Sequence, residues 1–182
     1  QKETKIKNIQ VHNINALEAN ISNRAALNLQ GVNISHINKG DLITKKGHIR
    51  GFDGIDISFK CLKGKKLNHN QTYSLFIGAK KIEVKVLLFD CITNIEEGFA
   101  TIKANENLYT IFGEKILLRN ANDTICGGIV LNPIIDPMKK NQKRNLLEAL
   151  NKKDFTNAYK ELLEAHKKGL GIISSTQRFA LS

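Results

Sequence analysis

Proline is nearly missing from this chain. Only two of the 182 residues are proline, Pro133 and Pro137, so no proline interrupts the first 132 positions. No apolar run approaches the eighteen or so residues that span a bilayer, so no membrane partner is expected. The start, QKETKIKNIQ, is polar and charged and does not read as a signal peptide. It lacks an initiator Met, and the sequence reads as an internal piece of something longer. Cysteine is scarce, with Cys61, Cys91 and Cys126 far apart and no CxxC pair, which argues against a structural zinc site. Each lies among apolar neighbours and reads as a small core side chain. A reducing, cytoplasmic location follows.

Catalytic apparatus is also missing. There is no GxxxxGK[ST] loop, hence no phosphate cradle. His12, His36, His48, His69 and His166 lack metal spacing and read as loop or surface residues. No Ser/His/Asp set or paired carboxylate is supported. The expectation is no catalytic residue, no metal ligand, no cofactor held by this chain, and no enzymatic activity of its own.

Positive charge is abundant. The chain carries 28 Lys and Arg against 17 Asp and Glu, a net charge of +11, and polyanions are the first partners to consider. Residues 137–182 hold ten of the basic residues and only four of the acidic ones. The bland alternative is a Lys- and Asn-rich composition set by an AT-rich genome. Three clusters stand out: Lys63, Lys65 and Lys66; Lys80 and Lys81; Lys139, Lys140, Lys143 and Arg144. Each is either a solvated face or a phosphate-binding one.

The organisation changes at the prolines. Residues 1–136 show short apolar runs bounded by Gly, Asn and Asp, at 5–11, 24–29, 55–62, 73–77, 82–89, 99–104 and 115–119. In Glu83-Val84-Lys85-Val86 the valines share one face and the charges the other. Many short strands with turns between them predict barrels or sandwiches. Asp53-Gly54 reads as a turn pair, which puts a junction near 50–54. After NPIIDP the period becomes helical. Leu146, Leu147 and Leu150 fit one helical face; Phe155, Tyr159, Leu162 and Leu163 fit a second, with Asp154 as its N-terminal cap. Lys167, Lys168 and Gly169 suit its C-terminal end. Ser174 or Ser175 reads as the cap of a further helix, inside which the chain stops.

Two motifs invite a nucleotide reading. Asn151-Lys152-Lys153-Asp154 matches the guanine-reading NKxD of GTPases, but it follows a helical stretch, not a buried strand. The helix-turn-helix reading is preferred. Gly127-Gly128, before an apolar strand, reads as a bulge or a close backbone approach.

Four segments carry a resemblance. The runs KNIQVHN, NRAALNLQGV and INKGDLI resemble the second domain of the selenocysteine-specific elongation factors, the SelB family. LNHNQTYSLFIGAKKIEVKVLLFD resembles the first part of their third domain, and KILLRNANDTICGGIVLNP its end. Residues 144–182 resemble the helices leading into their first winged-helix module. The chain departs from that pattern in Lys39-Gly40-Asp41 and in TICGG, and nothing resembling the GTPase domain is present.

The resemblance implies a mainly β fold of two successive elongation-factor-like barrels, with residues 1–53 an incomplete first barrel and 54–136 a second. Residues 137–182 would be a helical linker and the start of a winged-helix module. It implies binding of selenocysteinyl-tRNA for selenocysteine incorporation at recoded UGA codons. The ribosome and an mRNA hairpin would be partners through a parent factor, which would hold GTP and Mg. Set against the aminoacyl pocket of EF-Tu, which uses a glutamate and an asparagine, the corresponding positions are Gln10 and Arg24. A guanidinium there would favour a selenolate over a hydroxyl. Lys80, Lys81, Arg119, Lys65 and Lys66 are the expected tRNA contacts. Two other classes stay open: an accessory barrel module of a general translational GTPase, which has Asn where this chain has Arg24, and a catalytic nucleotide-processing domain.

Overall fold

The computed structural model describes residues 3–90, 95–166 and 170–180. Gln1–Asp41 form one compact unit and Leu42–Ser182 another. In the first, β1 (Ile6–Val11), β2 (Ile14–Ala16) and β3 (Ala25–Leu29) make an antiparallel sheet in the order β2-β1-β3. His12 and Asn13 join β1 to β2 with φ of 52° and 64°. Two consecutive left-handed residues are the signature of a type I′ turn, whose twist matches that of the strands. This partial sheet stands where an incomplete first barrel was expected.

The second unit contains a closed barrel. β4 (Phe52–Cys61), β5 (Gln71–Ile77), β6 (Lys80–Leu88), β7 (Glu97–Leu108), β8 (Lys115–Arg119) and β9 (Thr124–Asn132) pair antiparallel in the order β4-β7-β6-β5-β8-β9. In β6 the alternation read from the sequence holds along the strand. Ile82, Val84, Val86 and Leu88 are buried, while Lys81, Glu83 and Lys85 are exposed. Burying each such aliphatic side chain stabilises the fold by roughly 1.5–3 kcal/mol. The interior is completed by Ile55, Ile57, Phe59, Leu75, Ile102, Leu118 and Cys126. Among the described residues no helix is long and apolar enough to cross a membrane.

Glycine decides two strand positions. A Cβ at Gly128 would lie 2.4 Å from the Ser58 carbonyl oxygen, so β9 approaches β4 this closely only with glycine there. This is the close approach expected for Gly127-Gly128. At Gly54 a Cβ would lie 2.5 Å from Ile135 Cδ1. Asp53-Gly54 is therefore not a turn. It lies inside β4, at a register irregularity between Phe52 and Gly54 opposite β7. A junction at residue 53 would cut β4, and the compact units divide after Asp41 instead.

The helices belong to the barrel unit. α1 (Lys140–Asn151), α2 (Phe155–Ala165) and α3 (Ile172–Phe179) share a second core, which joins Leu146, Leu147, Leu150, Ala158, Leu162 and Phe179 to Phe112 and Leu131 of the barrel. Phe155 packs edge-on against Phe112 and Phe179, with centroids 5.3 and 5.7 Å apart. Asp154 caps α2 as expected, accepting from the Asn157 backbone N–H at 3.1 Å. Of the expected face, Leu162 is buried, but Tyr159 and Leu163 are more than a third exposed, and Ala158 points inward in their place. Gly171 is the N-cap of α3, so Ser174 and Ser175 lie within the helix, and Ser175 Oγ donates back to the Gly171 carbonyl. Lys167, Lys168 and Gly169 lie outside the described residues.

Polar bonds fix the helices in place. Asp56 on β4 is fully buried and accepts from Thr101 Oγ1 at 2.6 Å and Asn132 Nδ2 at 3.2 Å. Lys143 of α1 reaches it with Nζ at 2.7 Å. Asn132 in turn accepts from Arg178 Nη1 of α3 at 3.0 Å, and Arg178 Nη2 lies 2.6 Å from Asp136. His166, just past α2, lies 2.9 Å from the other Asp136 oxygen. Lys143 thus neutralises the one buried carboxylate of β4. Lys143→Met leaves that charge uncompensated and should destabilise the barrel unit by about 3–5 kcal/mol in urea denaturation. Adding Asp56→Asn to that variant should recover part of the loss.

Candidate nucleic-acid interface

The first unit places Gln10 on β1 and Arg24 at the entry to the neighbouring strand β3. Gln10 lies opposite Ala26 in the β1–β3 register, and Arg24 is the residue just before β3. Both are exposed. Gln10 Nε2 donates to Asn15 Oδ1 at 3.0 Å, and Asn8 Nδ2 donates to the same oxygen at 3.1 Å. The Gln10 amide is thereby oriented from β2. Among the described residues Arg24 has no acidic partner.

On the barrel the sequence clusters separate. Lys80 and Lys81 are neighbours on β6 and so point to opposite sides of the strand. Lys80 turns to an ion pair with Glu106 of β7. Lys81 faces outward, its Nζ 5.9 Å from the centre of the Phe76 ring on β5. Arg119 of β8 approaches the same ring, with Cζ 5.6 Å from its centre. Phe76 thus carries two cations, an arrangement worth about 0.5–1 kcal/mol per cation at exposed sites. Lys65 pairs with Asp123 at 2.7 Å and Lys66 with Glu96 at 3.9 Å. Of the five expected tRNA contacts, the barrel brings Lys81 and Arg119 together; it pairs Lys80, Lys65 and Lys66 with carboxylates. In the cluster at 139–144, Lys143 holds the buried Asp56, and Arg144 pairs with Asp90 at the surface.

Three features were not read from the sequence. Phe76 is the aromatic between Lys81 and Arg119; alternation with the inward Leu75 and Ile77 would have placed it outside. Lys85 on β6 stands directly opposite Lys103 on β7. Both are exposed, and among the described residues neither has an acidic partner. Like charges in direct cross-strand register oppose folding, so this pair suits a polyanion better than it suits the barrel. Only the register, which the sequence does not print, reveals it. Lastly, a groove of about 950 Å³ runs beside Phe76 along Leu117, Gly127 and Gly128, with Lys60 and Lys115 at its edges.

Nucleotide chemistry finds no support at Asn151-Lys152-Lys153-Asp154. Both Asp154 oxygens are taken by Asn157, through its backbone N–H and its side-chain amide at 2.6 Å. Those bonds hold the carboxyl below its ordinary range. Among the described residues no group of three His, Cys, Asp or Glu is placed to hold a metal ion.

No protein-family model matches the chain. It is similar to the selenocysteine-specific elongation factor of Desulfomicrobium baculatum, 21% identical over 146 residues, which is 77% of this chain and 23% of that protein. It is also similar to the crystal structure of the bacterial selenocysteine-specific elongation factor EF-Sec. There the TM-score is 0.81 and the identity 20%, over 98% of this chain and 29% of that one. The chain spans about a quarter of the length of these relatives. The resemblance read from the four segments is supported, and the barrel with its partial sheet is the fold it implied.

At the barrel rim, Lys65 donates to Asp123, and with some help from Arg119 it holds that carboxyl below the ordinary range. The ion pair is therefore intact above the usual carboxylate range and is lost as pH falls through the lowered value. In an NMR titration, Asp123 should titrate below the ordinary aspartate range, and Lys65→Met should remove most of the difference.

Proposed function

We propose that this chain is part of a selenocysteine-specific elongation factor and that it binds selenocysteinyl-tRNA. The observation that carries the reading is the agreement of two independent comparisons, one of sequence and one of fold, on the same kind of protein. In this reading the first sheet holds the aminoacyl end and the barrel holds the tRNA backbone. Delivery to recoded UGA codons, the ribosome and an mRNA hairpin are partners of the longer factor, in the cytoplasm.

The chain's own residues act by binding, not by catalysis. Arg24 places a permanent, forked cation at the pocket, which suits a side chain ionised at neutral pH better than the neutral hydroxyl of serine. Gln10, oriented by Asn15, is the polar partner on the neighbouring strand. On the barrel, Lys81 and Arg119 beside Phe76, with Lys85 and Lys103, contact phosphates; such contacts position the RNA without reading its sequence. Lys80, Lys65 and Lys66 contribute to the same field, each after releasing or sharing its carboxylate. GTP and Mg belong to a domain outside these residues, since Asp154 is committed to its helix.

The barrel contacts are checked by salt dependence. Lys81→Ala should weaken tRNA binding and flatten the slope of log K against log salt by about 0.7–0.9. Lys80→Ala, which mainly frees Glu106, should change the slope less. Lys103→Ala should weaken binding while leaving thermal stability unchanged or higher, because it removes a like-charge contact. Unchanged slopes for Lys81 and Lys103 would remove this face from the interface.

Selectivity is checked at Arg24 in the complete factor with GTP. A hydrogen bond to a charged group is worth roughly 1.5–3 kcal/mol, so Arg24→Ala should cost about ten- to a hundredfold for the selenocysteinyl tRNA and little for the seryl form. Arg24→Lys should restore part of the difference. Equal loss on both tRNAs would make Arg24 structural, and no loss on either would place the pocket elsewhere.

A further inference from the structure

At one rim of the barrel the last residue of β4 faces the start of β9, and both positions are cysteine: Cys61 is the register partner of Cys126. The backbone bonds define what kind of pair this is. Leu62 N–H donates to the Ile125 carbonyl at 2.9 Å, one step along the ladder. Cys61 N–H points the other way, to the Glu96 carbonyl at 2.6 Å. Cys61 and Cys126 are therefore a non-hydrogen-bonded antiparallel pair, the kind that brings Cα atoms to about 4.5 Å and side chains closest together. Disulfides span Cα separations of about 4.4–6.8 Å, so the backbone already stands at bridging distance. Both side chains point to the interior. Cys126 is fully buried among the core residues, and Cys61 packs against them from the rim, half-buried. Cys61 Sγ also lies 3.7 Å from the Ile95 carbonyl, to which it donates.

We propose that Cys61 and Cys126 are a redox-active pair that closes to a cross-strand disulfide on meeting a small-molecule disulfide of the glutathione type. The order of steps follows from access. The Cys61 thiolate at the rim attacks one sulfur of the oxidant, forms a mixed disulfide and expels one small thiolate. Cys126, having given its proton to solvent, attacks the Cys61 sulfur and expels the second. Two protein thiols lose two electrons and two protons, and the small disulfide becomes two thiols. Burial holds both thiols above their ordinary range, Cys126 the more strongly. The reaction is accordingly slow near neutrality and speeds up as pH rises.

The bridge would act where the basic surface is anchored. The segment after β4 carries Lys65, and the turn before β9 carries Asp123; their ion pair already spans the same two stretches of chain. A covalent bond at Cys61–Cys126 fixes both, and with them the end of β8 that holds Arg119.

The test uses the chain with Cys91→Ser, so that the pair supplies the only thiols. It is equilibrated, folded by circular dichroism, across ratios of oxidised to reduced glutathione, then acid-quenched, alkylated and mapped. Both thiols should disappear together into a peptide linked through Cys61 and Cys126. The thermal midpoint should rise by roughly 5–15 °C, as expected for closing a long loop, and dithiothreitol should reverse the rise. Glutathione left on Cys61 with Cys126 free would overturn the proposal. So would thiols that stay free in the folded chain at the most oxidising ratio, or a bridge that leaves the midpoint unchanged or lower. Adding Cys61→Ser should leave Cys126 unreactive while folded; rapid modification of Cys126 there would also refute the assigned order.

Discussion

A carboxylate shut away from water dictates how this molecule is arranged outside its barrel. Asp56 sits on the wall of β4 with no solvent contact. Left alone it would cost several kcal/mol, so something must bring it a positive charge. Lys143 does, and it can do so only if α1 lies across the wall at one height. Asn132 passes the constraint on to Arg178, and so to α3 and Asp136. The apolar contacts of Leu146, Leu147 and Leu150 supply attraction, but attraction of that kind tolerates sliding. The polar chain selects one position.

Much of the barrel was legible because its interior obeys a period of two. Val84 and Val86 gave away β6, and similar alternation gave most of the other strands. What escaped was structure whose cause lies far off in sequence. Gly127-Gly128 reads locally as a close approach, but its partner, Ser58 of β4, is visible only in the fold. Asp53-Gly54 looks like a turn, yet it lies inside β4 with the Ile135 side chain packed over it. The helices read correctly as helices, but nothing local shows that their cations reach back into the barrel wall.

The same limit governs the binding surface. Counting lysines treats each as free, whereas the fold spends Lys143 and Arg178 on internal carboxylates and pairs Arg144, Lys65, Lys66 and Lys80 with surface ones. The basic excess of the C-terminal part is thus partly structural. Cations come together through strand register, as at Lys81 with Arg119 around Phe76 and at Lys85 opposite Lys103. Composition pointed to a polyanion; pairing decides where it can sit. Gln10 and Arg24 were found by another route, alignment to a resembling family; Gln10 lies on β1 and Arg24 just before β3.

The seam between β4 and β9 also has a meaning in time. β4 is the first strand of the barrel to be synthesised and β9 the last. One edge of β4 is satisfied when β7 emerges, but the other waits for the final strand. Until then the growing chain displays an open row of amides and carbonyls, the kind of edge to which stray strands attach. Contacts so distant along the chain also slow folding. Lys60 lies charged and outward beside that edge, the kind of residue that discourages such attachment. The helices that follow can dock on the finished wall only after the ring has shut.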